Sequence, residues 1–306
     1  MAWRPTLPGK GTKSARAGAH EPDRLRVRKT YKLYVGGAFL RSESGRSYPV
    51  YGADGALLAH AAQASRKDVR DSVVAARKAF PAWSAATAYN RGQVLYRVAE
   101  MLDGRRDQFA DEVAAAEGLR GADALVAVDS AIDRWVWYAG WADKFAQVIG
   151  GTNPVAGPYF NFSLPEPTGV VGVLAPQGSS LLGLVSVLAP VITTGNTAVV
   201  VTSQVRPLPA VSLGEVLATS DLPGGVVNLL TGVTAELAPW LASHRDVNAL
   251  DVTGADQAAR ADLQRSAADT VKRVADPHPD RYEDDPGTGR LGAFVEIKTV
   301  WHPIGV

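Results

Sequence analysis

Two serine residues lie in a turn that follows a predicted buried strand. The strand is the segment Gly169 to Ala175, which is short, apolar and rich in β-branched residues, as strands covered on both faces are. The turn runs from Pro176 to Ser180 with the sequence PQGSS. A serine between a strand and a helix has the arrangement of a serine-hydrolase nucleophile, but the Gly-x-Ser-x-Gly pattern is absent. A helix-capping role for Ser179 or Ser180 accounts for the same residues.

The segments around this turn predict a strand–helix–strand unit. Leu181 to Ile192 is apolar almost all round, which is typical of a helix packed on a sheet, and Gly195 can end that helix. Asn196 to Val201 is a second β-branched run. Parallel strands joined in this way form a right-handed crossover in nearly all cases, and ligands bind beyond the carboxyl ends of such strands. We therefore expect the functional site at the Pro176 to Ser180 turn.

The composition excludes several kinds of site. The chain has 306 residues, of which 46% are hydrophobic and 21% charged, as is typical of a soluble globular protein. Its net charge is +1, so it has no overall electrostatic field that would attract nucleic acid or a membrane. It has no cysteine, so disulfides, zinc–thiolate sites and thiol nucleophiles are excluded. The histidines are scattered without metal-binding spacing, and Glu166, Asp251 and Asp256 have no evident partner. No apolar segment is long enough to span a bilayer and no export leader is evident, so we expect the cytoplasm.

The rest of the chain predicts a hairpin, helices and more strands. The hairpin lies in Tyr31 to Ala64 and turns at Gly36-Gly37. Helices are expected at Asp68 to Phe80, Arg91 to Ala116 and Asp123 to Phe145, the last of which is rich in tryptophan and expected to bury its aromatic residues against the core or a partner. Short strands are expected at Val226 to Leu230, Ala249 to Val252 and Ala293 to Trp301. Residues 1 to 30 are predicted to be a disordered basic tail, residues 276 to 289 a linker, and residues 290 to 306 a C-terminal segment containing the last strand.

Several of these segments together resemble the aldehyde dehydrogenase superfamily. They occur in the order and at the spacing of that family: YVGGAF, AARKAFPAWS, YAGWADK at 138–144, EPTGVVGVLAP, GNTAVVV, DLPGGVVNLLTG, VTG at 252–254, and AFVEIKTV near the end. The match covers about residues 31 to 260 and 289 to 301. As a set these segments are specific, whereas any one of them alone would be weak.

The resemblance implies an α/β fold with a doubly wound, Rossmann-like nucleotide-binding domain over residues 31–275. It also implies a β-hairpin oligomerisation arm at residues 151–165 that pairs with the terminal strand. The cofactor of the family is NAD or NADP. The cofactor site of the family falls here on Ala175, Pro176, Gln177, Ser203, Gly232, Thr253 and Gly254.

This site departs from the family pattern in three places. The Asn that helps to stabilise the oxyanion is Gly178 here, and the Lys-Pro-Ser-Glu that holds the ribose is Val201 to Gln204. The second change removes the charge-assisted contacts that a ribose site uses. In addition, Asp256 follows Thr253-Gly254-Ala255, where a helix N-terminus would otherwise attract pyrophosphate. Cofactor binding is therefore expected to be weak or absent.

The resemblance also implies a function. After Asp269 the sequence has neither the general-base segment of the family nor its cysteine-bearing catalytic domain, so covalent aldehyde oxidation is not expected from this chain alone. The chain resembles the truncated, cysteine-less second copy of two-copy family members. We expect a non-catalytic structural or regulatory subunit that joins a full-length catalytic aldehyde dehydrogenase, or a second copy of itself. The alternatives are an NAD(P)-binding protein, an oxidoreductase that acts on aldehydes only with a catalytic partner, and an enzyme that uses Ser179 or Ser180.

Overall fold

The computed structural model describes residues 27–279 and 281–305. The strands in this part of the chain are Thr30–Tyr31 (β1), Leu33–Val35 (β2), Ala38–Leu40 (β3), Ser47–Tyr51 (β4), Leu57–Ala62 (β5), Gly151–Asn153 (β6), Tyr159–Pro167 (β7), Val170–Leu174 (β8), Thr197–Val201 (β9), Val227–Leu230 (β10), Ala249–Asp251 (β11), Arg273–Ala275 (β12) and Val295–Pro303 (β13). The helices are Arg66–Ala85 (α1), Ala88–Asp103 (α2), Arg106–Glu117 (α3), Gly121–Trp141 (α4), Phe145–Ile149 (α5), Leu182–Thr193 (α6), Leu208–Ala218 (α7), Thr234–Ser243 (α8), Gln257–Ala268 (α9) and Gly289–Gly292 (α10).

Seven strands form the central sheet, in the order β12-β11-β8-β9-β10-β2-β3. The first five are parallel, and β2 and β3 are antiparallel additions at one edge. The chain passes from β8 through β9 to β10 and then returns through α8 to β11 on the other side of β8. The doubly wound α/β fold is therefore confirmed, and the four predicted strands of its parallel part lie within one residue of β8, β9, β10 and β11 at each end.

Strands β8 and β9 are buried and almost entirely apolar because both faces of the sheet are covered. Successive side chains of a strand point to opposite faces. Val171, Val173 and Val200 belong to a core shared with helices α2, α3, α4, α6 and α7, whereas Val199 and Val201 belong to a second core shared with α1, α8 and α9. A strand between two helical layers has no polar face, which explains why its sequence does not alternate.

Two helices that were predicted as continuous are divided in the structure. The helix predicted for Asp123 to Phe145 ends as α4 at Trp141, and α5 begins at Phe145. The single helix predicted for Arg91 to Ala116 is wrong, because α2 ends at Asp103 and α3 begins at Arg106. Gly104 follows α2 and its N–H donates to the carbonyl of Glu100 at 3.0 Å, and glycine disfavours the helix interior. Both helices pack on α4. The tryptophan-rich α4 buries Trp135 and Tyr138 completely, so the prediction that its aromatic residues enter a core is confirmed.

A separate three-stranded antiparallel sheet has the order β13-β7-β6, and we call it the arm sheet. Its longest pairing runs from Val295 opposite Pro167 to Pro303 opposite Tyr159. The predicted pairing of the hairpin arm with the terminal strand is therefore confirmed. Most residues of β13 are exposed to solvent. Within the described residues, β13 has a strand neighbour on one side only.

The N-terminal part forms small β structures. The hairpin predicted at Gly36-Gly37 is confirmed: β2 and β3 pair directly, and Gly36 and Gly37 both have positive φ angles, 63° and 84°, as a tight hairpin turn requires. Strands β1, β5 and β4 form a second small sheet. The predicted basic tail falls outside the described residues as far as position 26.

Candidate functional site

The carboxyl ends of β8 and β11 lie side by side where the strand order of the central sheet reverses. Gly254 follows β11, and its N–H donates to the carbonyl oxygen of Leu174 at 2.8 Å. A Cβ atom at this position would collide with the carbonyl group of Ala175, so glycine is what allows the two chain segments to approach so closely. The crevice at such a reversal is the usual ligand site of a doubly wound sheet.

Two adjoining cavities open at this crevice. The larger, of about 630 Å³, is lined by the turn after β8, the residues after β11, the end of α3, the start of α4 and the segment around Tyr282. The smaller, of about 270 Å³, lies between α8 and α9. Both are lined by Gln177, Gly254, Ala255 and Asp256, so a single ligand can extend from one cavity into the other.

The structure brings four of the seven predicted cofactor residues to the larger cavity, namely Pro176, Gln177, Thr253 and Gly254. The other three lie outside the lining of both cavities: Ala175, Ser203 and Gly232. Ser203 is engaged within the protein, because its hydroxyl donates to the carbonyl of Gln177 at 3.1 Å and accepts from the N–H of Arg206 at 3.1 Å. Its hydroxyl is therefore not free to bind a ligand in this arrangement.

Two glutamine side chains join the turns beyond β8, β9 and β10. The N–H of Gln204 donates to Oε1 of Gln177 at 2.9 Å, and the N–H of Thr234 donates to Oε1 of Gln204 at 3.2 Å. Nε2 of Gln177 donates to the carbonyl of Ala175 at 3.1 Å. Neutral amide groups thus connect these turns at the position where the family resemblance implied a charged glutamate.

The two serines after β8 stabilise the start of α6. The hydroxyl of Ser179 accepts from the N–H of Gly183 at 2.9 Å. The N–H and the hydroxyl of Ser180 both donate to Oε1 of Glu117, each at 2.6 Å, and only 2% of Ser180 is exposed. The contact of Ser179 is of the capping kind, because its hydroxyl accepts from an N–H in the first turn of α6. The hydroxyl of Ser180 instead donates to a carboxylate. Both hydroxyls thus have partners within the protein, which disfavours a nucleophilic role for either serine.

Asp256 is the N-cap residue of α9, and its carboxylate makes no capping hydrogen bond. It lines both cavities. The nearby Arg260 donates to the carbonyls of Ala255 and Thr253. The sequence shows no partner for Glu166, Asp251 or Asp256. In the structure Glu166 pairs with Lys298 and Asp251 pairs with Arg290. Asp256 makes no ion pair among the described residues.

The segment between β12 and β13 is fixed to the crevice by a buried ion pair. The side chain of Asp251 is fully buried and that of Arg290 is 13% exposed. Oδ1 of Asp251 also accepts from the N–H of Thr253 at 2.9 Å, and the hydroxyl of Thr253 accepts from the N–H of His278 at 2.9 Å. These bonds attach His278, in the stretch from 276 to 289 that was predicted as a linker, and Arg290 directly after that stretch, to the end of β11.

Arg134 of α4 attaches the same segment at a second point. Its guanidinium donates to the carbonyls of Tyr282 and Asp284 and to the hydroxyl of Ser186. Burial lowers the pKa of Arg134 from its usual value. Tyr282, which is 5% exposed, is thereby held in the wall of the larger cavity.

The sequence did not indicate several residues of this wall. Glu117 and Leu119 come from the end of α3 and the loop after it, and Tyr282 and Glu283 come from the segment before α10. None of them belongs to a recognisable motif, and they meet the turn after β8 only through the packing of α3, α4 and α6. One local signal could have indicated Glu117. It directly precedes Gly118, which ends α3 in the left-handed conformation, so the sequence could have placed Glu117 at a helix end.

Among the described residues, no group of three or more His, Asp or Glu side chains is arranged to hold a metal ion. In the same part of the chain, no helix combines the length and the apolar character needed to cross a bilayer.

A family model identifies the chain. Residues 39–275 match the model of the aldehyde dehydrogenase family. The chain belongs to the aldehyde dehydrogenase family. Among its relatives, retinal dehydrogenase 2 of Homo sapiens is 32% identical over 252 residues, which are 79% of this chain and 47% of the relative. Mitochondrial benzaldehyde dehydrogenase of Antirrhinum majus is 32% identical over 270 residues, which are 85% of this chain and 49% of the relative.

Solved structures give the same result. HpcC from Thermus thermophilus matches with a TM-score of 0.77 and 29% identity, over 81% of this chain and 48% of that one. An NAD+ complex of aldehyde dehydrogenase from Bacillus cereus matches with a TM-score of 0.75 and 26% identity, over 80% of this chain and 50% of that one. The chain therefore spans about half the length of these relatives.

Proposed function

We propose that this chain is a non-catalytic structural or regulatory member of an aldehyde dehydrogenase assembly. In this proposal its arm sheet docks onto a full-length, catalytic member of the family. The observation that supports it most is the open edge of β13 in the arm sheet. A long strand edge with unpaired N–H and C=O groups is a template for another strand, and folded proteins normally cover it.

The side chains of β13 support docking at this edge. Ile297 and Trp301 lie on one face of the strand and are 51% and 58% exposed. Tyr159 of β7 packs against Trp301 with 5.7 Å between ring centroids, and it is itself 42% exposed. Apolar side chains beside an open strand edge are what β-augmentation uses, since the main chain provides the hydrogen bonds and the side chains provide the specificity.

The choice of partner follows from the family. The resemblance implies that the arm of one subunit extends the catalytic-domain sheet of a neighbour, so a full-length member offers the matching edge. A second copy of this chain is the alternative partner.

The non-catalytic part of the proposal is supported by the chemistry of the crevice. The chain contains no cysteine, and the family mechanism needs a thiolate to form a covalent adduct with the aldehyde. The serines of the turn after β8, Ser179 and Ser180, both have hydrogen-bond partners within the protein. Among the described residues, the crevice therefore presents no thiol, and the hydroxyl groups of this turn are engaged.

The test is co-expression of this chain with its most similar full-length homologue, followed by purification on a tag carried by one of them. We expect a complex at micromolar concentration that Ile297→Asp abolishes, because a carboxylate would be buried at the strand edge. Val74→Asp is the matched control, since Val74 is 58% exposed on α1 and should leave the complex intact. The chain alone should reduce no NAD or NADP with a panel of aldehydes. Aldehyde-dependent turnover by the pure chain, or a complex that survives Ile297→Asp, would contradict the proposal.

A second candidate function is the binding of a dinucleotide or a part of one. It is favoured by the two adjoining cavities at the strand reversal, the position at which doubly wound sheets bind their ligands, and by the Bacillus cereus relative, whose structure is an NAD+ complex. Calorimetric titration with NAD is the direct measurement. We expect weak binding that does not saturate in the sub-millimolar range, because the charged ribose-binding residues of the family are replaced here.

A further inference from the structure

We infer that the crevice selects a nucleoside without phosphate groups, and that Glu117 and Asp256 determine this specificity. The inference rests on the second candidate function, that the crevice takes a ligand. It goes beyond weak cofactor binding because it assigns the ligand class and the residues responsible. Two helix N-termini open into the crevice, those of α6 and α9, and a carboxylate lies at each of them.

The N-terminus of α6 already has an anion. Glu117 accepts from the N–H and the hydroxyl of Ser180 at 2.6 Å each, directly before the helix. The hydroxyl of Ser179 accepts from the N–H of Gly183 in the first turn. A phosphate group normally binds a helix N-terminus because the unpaired N–H groups and the helix dipole attract negative charge. At α6, an internal carboxylate occupies that position.

The N-terminus of α9 has an anion as well. Asp256 is its N-cap residue, its carboxylate makes no capping bond, and it lies at the junction of the two cavities. A ligand that extends from the smaller cavity into the larger one must pass this carboxylate. Two negative charges in close contact repel each other more strongly near a protein surface than in bulk water, because the effective dielectric constant is lower there. A diphosphate at this junction is therefore disfavoured.

Among the described residues, no basic side chain in the lining offsets these charges. The charged residues that line the larger cavity are Glu117, Asp123, Asp256 and Glu283, all of them acidic. The neighbouring guanidinium groups have other partners: Arg206 donates to the carbonyl of Gly178, Arg120 pairs with Asp123, Arg260 donates to backbone carbonyls, and Arg290 pairs with Asp251. The described walls of this cavity therefore lack the positive groups that would hold a phosphate.

The smaller cavity fits the base of a nucleoside. It is a slot between two helices lined by small apolar side chains together with Leu263 and Pro239. Polar groups for orientation are present in Gln204 and Thr234, and the hydroxyl of Thr234 is buried without a hydrogen-bond partner among the described residues. A ribose beyond the slot would reach Asp256, and sugar hydroxyls donate well to a carboxylate. The carboxylate of Asp256 would thus repel a diphosphate but accept hydrogen bonds from the sugar hydroxyls of a nucleoside.

The test compares adenosine with ADP by isothermal titration calorimetry, on the wild-type chain and on neutralised variants. Wild type should bind adenosine at least about tenfold more tightly than ADP, which corresponds to ~1.4 kcal/mol. The double variant Glu117→Gln, Asp256→Asn should reduce this ratio by about tenfold through stronger ADP binding. Glutamine retains an acceptor for Ser180, so the start of α6 is preserved. Asp133→Asn is the matched control, because Asp133 is exposed on α4 and lines neither cavity, and it should leave the ratio unchanged.

The possible outcomes distinguish the specificity from ligand binding itself. Equal binding of adenosine and ADP by wild type, or a ratio that the double variant does not change, overturns the charge-based specificity while the crevice remains a ligand site. If neither adenosine, ADP nor NAD binds wild type or any variant, this inference and the second candidate function both fail. A cooperative thermal transition for each variant verifies that it is folded.

Discussion

The central sheet and the arm sheet of this protein differ in how far the rest of the chain covers their strands. Every residue of β8 and β9 is buried, because helices lie on both faces. On β13, by contrast, Ile297 and Trp301 are more than half exposed. A buried parallel sheet is complete within one chain, whereas an exposed strand edge with apolar side chains requires something else to cover it.

This difference indicates which part of the molecule is expected to respond to a partner. Changes in the central sheet should alter the stability of the chain itself. Changes in the arm sheet should alter association and leave the stability of the isolated chain nearly unchanged. The segment from residue 276 to residue 294 joins the two regions, so its attachment to the central sheet decides how rigidly the arm is held.

The largest expected effect is the loss of unfolding free energy when the buried ion pair that attaches this segment is broken. Arg290→Gln would leave the fully buried Asp251 without its cationic partner, and the loss of one partner of a buried pair costs ~3–5 kcal/mol. Chemical denaturation would measure the free energy of unfolding. Arg281→Gln is the control, because Arg281 and Asp284 form a surface pair whose side chains are 82% and 63% exposed, and its loss should cost less than about 1 kcal/mol. Equal effects of the two variants would mean that the segment is not fixed by Asp251.

The next effect compares one leucine in each region. Leu188 in α6 is completely buried, whereas Leu164 in β7 is 44% exposed. Leu188→Ala should destabilise the chain by ~2–5 kcal/mol because it removes buried methyl groups and leaves a cavity. Leu164→Ala should change the unfolding free energy by less than about 0.5 kcal/mol. A large loss at Leu164 in the isolated chain would show that the arm sheet contributes to the stability of the fold.

The two regions also differ in how far the sequence predicts them. Four strands of the central sheet, β8 to β11, were predicted to within a residue, because two-sided burial requires an apolar run and Gly195 marks the end of the helix between β8 and β9. Strand β12 was not predicted, because its three residues form no such run. The pairing of β13 with β7 followed from the family resemblance rather than from periodicity.

The crevice was predicted only in part. The turn after β8 was recognised from its place between a strand and a helix. Glu117 and Tyr282 were missed, because their place in the wall depends on the packing of α3 and of the segment before α10, which is a tertiary property with no local pattern. The ion pair of Asp251 with Arg290 joins residues 39 positions apart, and nothing in either local sequence indicates it.

The smallest expected effect is a pH dependence of the segment that joins the two sheets. His278 packs on Tyr282 with 4.9 Å between ring centroids, and its backbone N–H donates to Thr253. Burial is the main cause that lowers the pKa of His278 below its usual value of 6.5. The positive charges of Arg290 and Arg134 also lower this pKa, whereas the carbonyl of Pro279 and the charge of Asp251 raise it. The folded protein therefore holds this imidazole neutral over a pH range in which the unfolded chain would protonate it.

The sign of the effect follows from this difference. Above pH 6.5 the histidine is neutral in both states, and its contribution to stability is complete. As the pH falls through the lowered pKa of the folded state, the unfolded state binds more protons, so stability is lost on acidification. We expect amide hydrogen exchange in residues 276 to 284, corrected for the intrinsic rate, to be faster at about pH 5 than at about pH 7.5, and His278→Gln to reduce this difference. His244, whose pKa is also lowered by burial, is the control: His244→Gln should leave the acid response of residues 276 to 284 unchanged. If the corrected exchange of this segment is the same at both pH values, His278 does not weaken the connection between the central sheet and the arm sheet.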